Sequence, residues 1–282
     1  MSKAGVIGLG MIGGGVATCL ARTGQLGAIF DLRPDAGADI EGSPALSASP
    51  KALAEAVDTV LIAVVSAQQT IDVLSAADGV LAAARPGLNV VLLATVSIAD
   101  LARIRTLTDA AGVGLIDSGV TGGQRASQNG LVCLVGGSDE AVAAVRPILD
   151  GFAKAVAHMG GPGAGMAAKI ARNVVVFGCL RAGYEAAVLC RNSGVDVNQL
   201  TQVIEDSSEG VGGLMMLMSR DDPFKNEQEA GVREYTRSLM VKDLDAALDL
   251  AASFGVRLPL IELTKATDQA VVGMADVMGE KA

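Results

Sequence analysis

Short runs of Val, Ile, Leu and Ala recur along the first half of the chain, and stretches with helical spacing separate them. Each run has the length and the β-branched content of a strand that is buried on both faces. The predicted strands are residues 4–8, 27–31, 58–65, 89–95, 113–117, 131–135 and 154–158, and the predicted helices among them are 11–23, 50–56, 67–84, 97–111 and 139–150. Because strands alternate with helices, the pattern indicates a parallel sheet with helices on both faces.

A glycine-rich turn joins the first predicted strand to the first predicted helix. Its sequence is Gly8-Leu9-Gly10-Met11-Ile12-Gly13. In a dinucleotide site the first glycine makes the tight turn, the second lets the pyrophosphate approach the backbone, and the third lets helix and strand pack closely. Asp31 ends the second strand, where a carboxylate accepts hydrogen bonds from ribose hydroxyls, and Leu32 and Arg33 follow it. The carboxylate favours NAD, whereas Arg33 can accept a 2′-phosphate and leaves NADP open as an alternative.

The sequence pattern changes near residue 162, where strand-like runs stop. The helical segments beyond it are 166–193, 197–206, 238–253 and 260–278. The polar stretch 219–236 fits either a loop or a short helix. We therefore predict an α/β protein with two domains, a Rossmann-like dinucleotide-binding domain at 1–162 and an all-α domain at 163–282. A long helix joins the two domains.

A turn rich in glycine, Gly160 to Gly165, leads into that long helix. Lys169 lies about one turn into it, and Arg172 and Asn173 follow at spacings that place all three residues on one face. A helix start carries partial positive charge, which disfavours an ammonium and lowers the pKa of a nearby lysine. The segment predicts a lysine prepared for proton transfer, and the alternative is a solvated polar stripe.

Composition excludes several classes of function. The formal net charge of −9 argues against nucleic acid as a partner, because phosphate binding requires clustered Lys and Arg. The four cysteines lie in apolar patterns and predict buried free thiols of a reducing compartment, and the single histidine, His158, predicts a structural role and no metal site. No apolar run reaches membrane-spanning length and the N-terminus has no signal-peptide layout, so we expect a soluble cytoplasmic protein without membrane partners.

The lysine segment, Gly163-x-Gly165-x-x-x-Lys169-x-x-x-Asn173, resembles that of the β-hydroxyacid dehydrogenases, a family that includes 3-hydroxyisobutyrate dehydrogenase and tartronate semialdehyde reductase. Three other motifs of that family occur in the same order. They are the turn from Gly8 to Gly13, the substrate loop Asp117-Ser118-Gly119-Val120-Thr121-Gly122-Gly123, and Lys242-Asp243-Leu244. The resemblance covers nearly the whole chain, and the motifs together are more specific than any one of them.

The resemblance implies that the all-α domain at 163–282 serves substrate binding and dimerisation, and it also implies roles for individual residues. Lys169 transfers the proton of the substrate hydroxyl, and Asn173 holds the substrate or the lysine. Thr121, Gly122 and Gly123 bind the substrate carboxylate, with Thr121 in place of the family serine. The remaining residues are expected to contact the cofactor: Val65 and Ser66 at the end of a strand, Thr95 near the nicotinamide ribose, and Lys242 from the second domain. For Thr95 the alternative role is a helix cap, which Ser97 would fill equally well.

These assignments predict an oxidoreductase that transfers hydride reversibly between NAD or NADP and a small β-hydroxy acid, such as 3-hydroxyisobutyrate. One alternative is an imine reductase of the same architecture, which typically has Asp or Tyr in place of Lys169. Another is a non-catalytic dinucleotide-binding module, which is expected to lose Lys169 and Asn173. A sugar-phosphate dehydrogenase would have His at the position of Arg172, a residue that either contacts a substrate acid group or faces a neighbouring helix. The run Val174-Val175-Val176-Phe177 is too apolar for a surface helix, so we expect a homodimer or homotetramer.

Overall fold

The computed structural model of the chain describes residues 3–207 and 230–271. By their contacts the residues divide into two compact units, Met1–Asn173 and Val174–Ala282. The lysine segment thus belongs to the first unit. The domain division at residue 162, which the change of pattern predicts, stays a proposal.

A sheet of seven strands, in the order β2-β1-β3-β4-β5-β6-β7, organises the first unit. The strands are β1 Ala4–Ile7, β2 Leu26–Phe30, β3 Thr59–Ile62, β4 Asn89–Leu92, β5 Gly114–Thr121, β6 Leu131–Gly136 and β7 Ala153–Gly160. The helices of this unit are α1 Met11–Arg22, α2 Pro50–Glu55, α3 Ala67–Ser75, α4 Ile98–Ala110 and α5 Asp139–Leu149, with short 3₁₀ turns at Val80–Ala83 and Gly123–Gln128. The predicted α/β fold and its order of elements are confirmed.

The sheet departs from the predicted parallel arrangement at β6. Strands β1 to β5 pair in parallel, but β6 runs antiparallel to β5, and β7 again runs parallel to β6. A parallel connection requires a crossover of about a dozen residues or more, whereas β5 and β6 are joined by the shorter segment 122–130. The short connection therefore folds back as a hairpin, and the expectation of an all-parallel sheet is wrong for β6.

Neighbouring residues of the central strands pack into different hydrophobic cores. Leu61 and Ile116 join the core formed with α1 and α5, while Val60 and Leu115 join the core that contains residues of α2, α3 and α4. Side chains of a strand alternate between the two faces of the sheet, so both faces are covered. This double burial explains why the strands appear in the sequence as continuous apolar runs.

The second unit is helical in its described residues. Its elements are the remainder of α6 Ala164–Asn192, then α7 Val197–Ser207, α8 Ala230–Ser253, α9 Pro259–Ala266 and α10 Asp268–Val271. Helix α8 begins before the predicted residue 238, and the predicted helix 260–278 is divided into α9 and α10. The parts of the predictions that fall on 219–229 and 272–278 lie outside the described residues.

Burial corrects one prediction for the cysteines, and hydrogen bonds support the structural role predicted for His158. Cys19, Cys133 and Cys190 are buried, but Cys179 is exposed, because it lies on a side of α6 that no described residue covers. Burial raises the pKa of the Cys133 thiol to about 11, which keeps it protonated. Nε2 of His158 lies 2.9 Å from the carbonyl oxygens of both Gly137 and Gly160, as expected of a structural residue.

Helix α6 is also long and apolar enough to span a membrane, with a mean hydropathy of 1.3 over its most apolar window. The expectation that no apolar run reaches this length is therefore wrong for α6 by length and composition alone. A single such helix is a weak indication, because core helices of soluble proteins have the same composition. That the protein has no membrane partner stays a prediction.

Candidate active site

Three glycines shape the turn between β1 and α1. Gly8 has a φ of +87°, in the left-handed region that favours glycine. A Cβ atom on Gly13 would lie 1.8 Å from the carbonyl oxygen of Gly8, so α1 reaches the turn only with glycine there. A Cβ atom on Gly10, in contrast, would meet no atom within 4 Å. The backbone at Gly10 is therefore open to the approach of a ligand.

The carboxylate of Asp31 closes this turn. Its Oδ2 accepts a hydrogen bond from the backbone N–H of Leu9 at 2.7 Å, and its Oδ1 accepts one from Arg33 Nε at 3.0 Å. Nη2 of Arg33 also donates to the carbonyl oxygen of Leu9 at 3.1 Å. The hydrogen bond from the Arg33 side chain is the largest cause that lowers the pKa of Asp31 to about 2. The carboxylate is therefore ionised at neutral pH and holds Leu9 and Arg33 together.

An open groove of about 610 Å³ lies beside this turn, at the carboxyl ends of β1, β2 and β3. Ligands of open α/β sheets bind at this edge, and the volume is typical of a ligand pocket. Leu32 and Val65, which both contribute to the lining, are each 89% exposed and offer apolar surface to a flat ring. Asp31, Asp72 and Asp78 add three carboxylates to the lining, and Arg33 adds a cation already bonded to one of them. The groove is therefore apolar with a negative balance of charge.

The two hydroxyl residues predicted near the cofactor have different surroundings. Ser66 caps α3, because its Oγ accepts a hydrogen bond from Gln69 N at 3.2 Å. Helix α4 is capped by Ser97, whose Oγ accepts from Asp100 N at 3.0 Å, and Thr95 stands exposed before that cap. The alternative role of Thr95 as a helix cap is thus excluded. Its place near the nicotinamide ribose stays a prediction.

The predicted substrate loop packs against the start of α1. Gly122, after the half-buried Thr121, turns the chain with a φ of +86°. A Cβ atom on Gly123 would lie 3.0 Å from Cδ1 of Ile12. Met11, which is 71% exposed, and Gly123 both line a second pocket of about 270 Å³. The fold thus brings residues predicted for the cofactor and for the substrate into one neighbourhood.

Lys169 is a buried lysine, with 9% of its surface exposed. It lies directly over β5, because a Cβ atom on Gly119 would be 2.3 Å from the Cβ atom of Lys169. Burial is the largest cause that lowers the pKa of Lys169, and the charge of Arg172 adds to it. The helix start, which the sequence suggested as one cause together with nearby apolar groups, donates the Met166 N–H to the carboxylate of Asp117 on β5. That negative charge offsets the positive potential of the helix end.

The two polar neighbours of Lys169 on α6 contact each other. Nη1 of Arg172 donates to Oδ1 of Asn173 at 3.3 Å. Arg172 is exposed and Asn173 is half-buried, so the arginine fixes the amide oxygen and leaves the amide NH₂ of Asn173 to other partners. The solvated stripe proposed as an alternative therefore describes Arg172 but not Lys169.

Lys242 lies on α8 in the second unit, where it is exposed. Its predicted contact with the cofactor stays a prediction, since it joins residues of different units.

Two family models match the chain. The first, described as the NAD binding domain of 6-phosphogluconate dehydrogenase, matches residues 3–161. The second, described as the NAD-binding domain of NADP-dependent 3-hydroxyisobutyrate dehydrogenase, matches residues 163–280. The chain belongs to the β-hydroxyacid dehydrogenase family. Membership agrees with the four motifs and makes the protein an oxidoreductase of NAD(P).

Relatives of this family match along nearly their whole length. An uncharacterized oxidoreductase of Mycobacterium tuberculosis is 33% identical over 93% of this chain and 90% of its own. The L-threonate dehydrogenase of Cupriavidus necator is 34% identical over 91% of this chain and 86% of its own. A crystal structure of an oxidoreductase from Mycobacterium avium is 28% identical and has a TM-score of 0.83, covering 98% of this chain and all of that one. The fold of the family therefore extends over both units of the chain.

The fold is shared more widely than the family chemistry. An imine reductase from Pseudomonas sp. has a TM-score of 0.79 at 20% identity, over 97% of this chain and 94% of its own. Likeness at that level of identity indicates a common architecture. The choice between the two chemistries therefore depends on the residues of the site.

The residues of the first unit fit a nicotinamide dinucleotide. The open backbone at Gly10 leaves room for a pyrophosphate, and the first amides of α1 point to that space. The groove at the ends of β1, β2 and β3 has room for the adenosine, with exposed Leu32 and Val65 as apolar contacts for its flat ring. These features would hold the dinucleotide, which carries the redox chemistry of the family.

Sequence reasoning missed three acidic residues of this unit. Asp72 and Asp78 line the groove, and no motif identified them because they lie on and after an ordinary amphipathic helix. Asp117 was noticed as the first residue of the substrate loop, but not as a buried acceptor for the backbone of α6. A carboxylate at the end of an apolar strand run was the signal that could have found it, since a fully buried charge requires partners.

Proposed function

We propose that the protein oxidises a small β-hydroxy acid reversibly, with Lys169 as the group that exchanges the proton of the substrate hydroxyl. The observation that supports this proposal most strongly is the position of Lys169. It is buried, its pKa is lowered, and it lies over Gly119 on the strand that leads to Thr121. A lysine that must act as acid and base near neutral pH requires such a lowered pKa.

Each residue of the proposed site has its own role in the reaction. When bound, the nicotinamide of NAD(P) accepts or donates the hydride. In oxidation neutral Lys169 takes the hydroxyl proton, and in reduction protonated Lys169 returns it to the carbonyl oxygen. Thr121 with the backbone of Gly122 and Gly123 binds the carboxylate, and the amide of Asn173 orients the substrate or the lysine. Burial of the lysine excludes water from the proton it carries.

The test is a panel of hydroxy acids with NAD and NADP, followed by the absorbance of the reduced cofactor. The panel contains 3-hydroxyisobutyrate, serine, glycerate, L-threonate, 4-hydroxybutyrate and phenylserine. We expect turnover with at least one acid that carries the hydroxyl on the β-carbon. A protein that binds NADH, leaves every acid unchanged and reduces a cyclic imine would be an imine reductase instead. The presence of Lys169 favours the hydroxy acid.

We also propose that the protein is cytoplasmic. A separate proposal is that NAD is preferred to NADP. The groove contributes more carboxylates than cations, which disfavours an additional phosphate. Arg33 already donates to Asp31 through Nε and Nη2, so the carboxylate offsets the charge that the arginine would offer to a 2′-phosphate.

Replacement of Asp31 by alanine is expected to raise the KM for NAD about tenfold and to improve the relative use of NADP. The loss corresponds to a hydrogen bond of a charged group, worth about 1.5–3 kcal/mol. Steady-state kinetics with both cofactors measure the ratio of kcat/KM for NAD to kcat/KM for NADP. Asp72→Ala is the matched control, because it removes a carboxylate from the same lining without touching Leu9 or Arg33. If the ratio of the efficiencies with NAD and NADP is unchanged in Asp31→Ala, Asp31 only stabilises the turn.

Copies of the chain are also expected to associate through α6. Val174 and Phe177 are 69% and 63% exposed, so a large apolar surface of α6 is uncovered in a single chain. We propose that a second copy covers it in a homodimer or homotetramer. Light scattering at micromolar concentration should give a multiple of 28.4 kDa, and Phe177→Glu should shift the population toward the single chain. A parent protein that remains at 28.4 kDa contradicts the proposal.

A further inference from the structure

Asp117 is a fully buried carboxylate on β5, with 0% of its surface exposed. Its Oδ1 accepts a hydrogen bond from Gly163 N, and its Oδ2 accepts one from Met166 N, both at 2.7 Å. These two amides belong to the turn before α6 and to its first turn, where backbone N–H groups have no partner within the helix. Nη2 of Arg105 on α4 lies 3.9 Å from Oδ1. The carboxylate therefore connects the sheet to the start of the helix that carries Lys169.

One face of β5 connects Asp117 with the proposed site. Side chains two residues apart point to one side of a strand, so Asp117, Gly119 and Thr121 share a face. Asp117 holds the first turn of α6, and Gly119 lies under Lys169 at the next step along the strand. Thr121 ends the strand in the loop proposed for the substrate carboxylate. The distance from lysine to substrate loop is thus set along one strand.

Glycines allow this close contact of helix and sheet. A Cβ atom on Gly165 would lie 2.4 Å from the carbonyl oxygen of Leu134, and one on Gly136 would lie 2.7 Å from Oδ1 of Asp117. Gly136 is also the partner of Asp117 across the β5–β6 pair. The carboxylate fits between strand and helix only because residue 136 is glycine, and its two hydrogen bonds define one position of the first turn.

We propose that Asp117 is a positioning residue for Lys169. Its carboxylate fixes the first turn of α6 on β5 and so determines where the lysine amine stands over the strand. The effect on turnover rests on the proposed function, whereas the effect on the lysine does not.

The test replaces Asp117 by asparagine, which keeps the shape but presents an NH₂ group to one of the two backbone N–H groups. One hydrogen bond is lost, and the first turn is released. The full chain with NAD is acetylated competitively with acetic anhydride at one fixed pH. Mass spectrometry of its peptides then measures the reactivity of the Lys169 amine. The exposed Lys154 serves as the internal reference. We expect acetylation of Lys169 to become about tenfold faster relative to Lys154, the scale of one lost hydrogen bond to a charged acceptor.

The kinetic readout uses whichever acid of the panel the parent oxidises fastest. In Asp117→Asn the kcat should fall about tenfold while the KM for NAD stays within about twofold, because the groove is not altered. Asp109→Asn is the matched control, since it removes an exposed carboxylate from α4 without contact with α6. Unchanged acetylation of Lys169 would overturn the proposal even if kcat falls. Faster acetylation in a protein that oxidises no acid of the panel would support the positioning role and contradict the proposed function.

Hydrogen exchange of the parent keeps the proposal testable if Asp117→Asn does not fold. The Met166 amide donates a hydrogen bond to Asp117. NMR should therefore show that its hydrogen exchanges at least about tenfold more slowly than that of the neighbouring Gly165 amide. Both residues are buried, so burial alone predicts equal protection. Equal exchange rates would overturn the proposal.

Discussion

Replacement of Lys169 by alanine is expected to lower kcat by about 10²–10⁴-fold, the usual contribution of a general acid–base group. The affinity for NADH should stay unchanged, because Lys169 lies over Gly119 and does not line the groove. Stopped-flow or steady-state kinetics measure the first quantity, and a titration of NADH measures the second. Near-normal turnover in the variant would remove Lys169 from the proton transfer.

Lys169→Arg is the matched control for charge. A guanidinium keeps the positive charge at every accessible pH but does not give up a proton. If Lys169 acts as the base, Lys169→Arg should be as slow in oxidation as Lys169→Ala. In the parent, oxidation requires the neutral amine, so its rate should rise with pH through the pKa of Lys169. Because burial lowers that pKa, the rise should occur below the value of 10.5 for an ordinary lysine. The rise should be absent from both variants.

Replacement of Gly10 by alanine is expected to weaken NADH binding about a hundredfold, or about 2.7 kcal/mol. The added Cβ atom would meet no protein atom within 4 Å, and the φ of −74° at Gly10 is one that alanine adopts. The variant should therefore fold with an unchanged Tm while its methyl group occupies the space of the pyrophosphate. The chain has no tryptophan, so the titration follows the fluorescence of NADH itself. Unchanged affinity would mean that the dinucleotide does not pass over Gly10.

The strands could be predicted because burial on both faces leaves a simple mark in the sequence. Val60 and Leu61 are adjacent apolar residues that serve different cores, so the run is continuous and unmistakable. The direction of β6 was not predictable from such runs, because an apolar run has the same composition in either direction. Only the short connection 122–130 carried that information.

The sequence proposes site residues where chemistry requires a residue type and a spacing together. The turn from Gly8 to Gly13, Asp31 and Lys169 belong to this class, and their roles stay predictions. The partners of a charge were not predictable, because they come from distant parts of the chain. Asp117 meets Met166 across 49 positions of sequence. Burial of Lys169 against β5 is the largest cause of its lowered pKa, and a local argument from the helix start does not show that packing.

The contact of α6 with β5 also limits how this enzyme can be redesigned. At residues 119, 136 and 165 even one added methyl group would collide with the backbone or with Lys169, so libraries that vary these positions will consist mostly of misfolded proteins. Gln124 is exposed in the lining of the smaller pocket, so its side chain can change without moving the lysine. Directed evolution toward new hydroxy acids should therefore randomise Gln124 and leave Thr121 and the glycine contact intact.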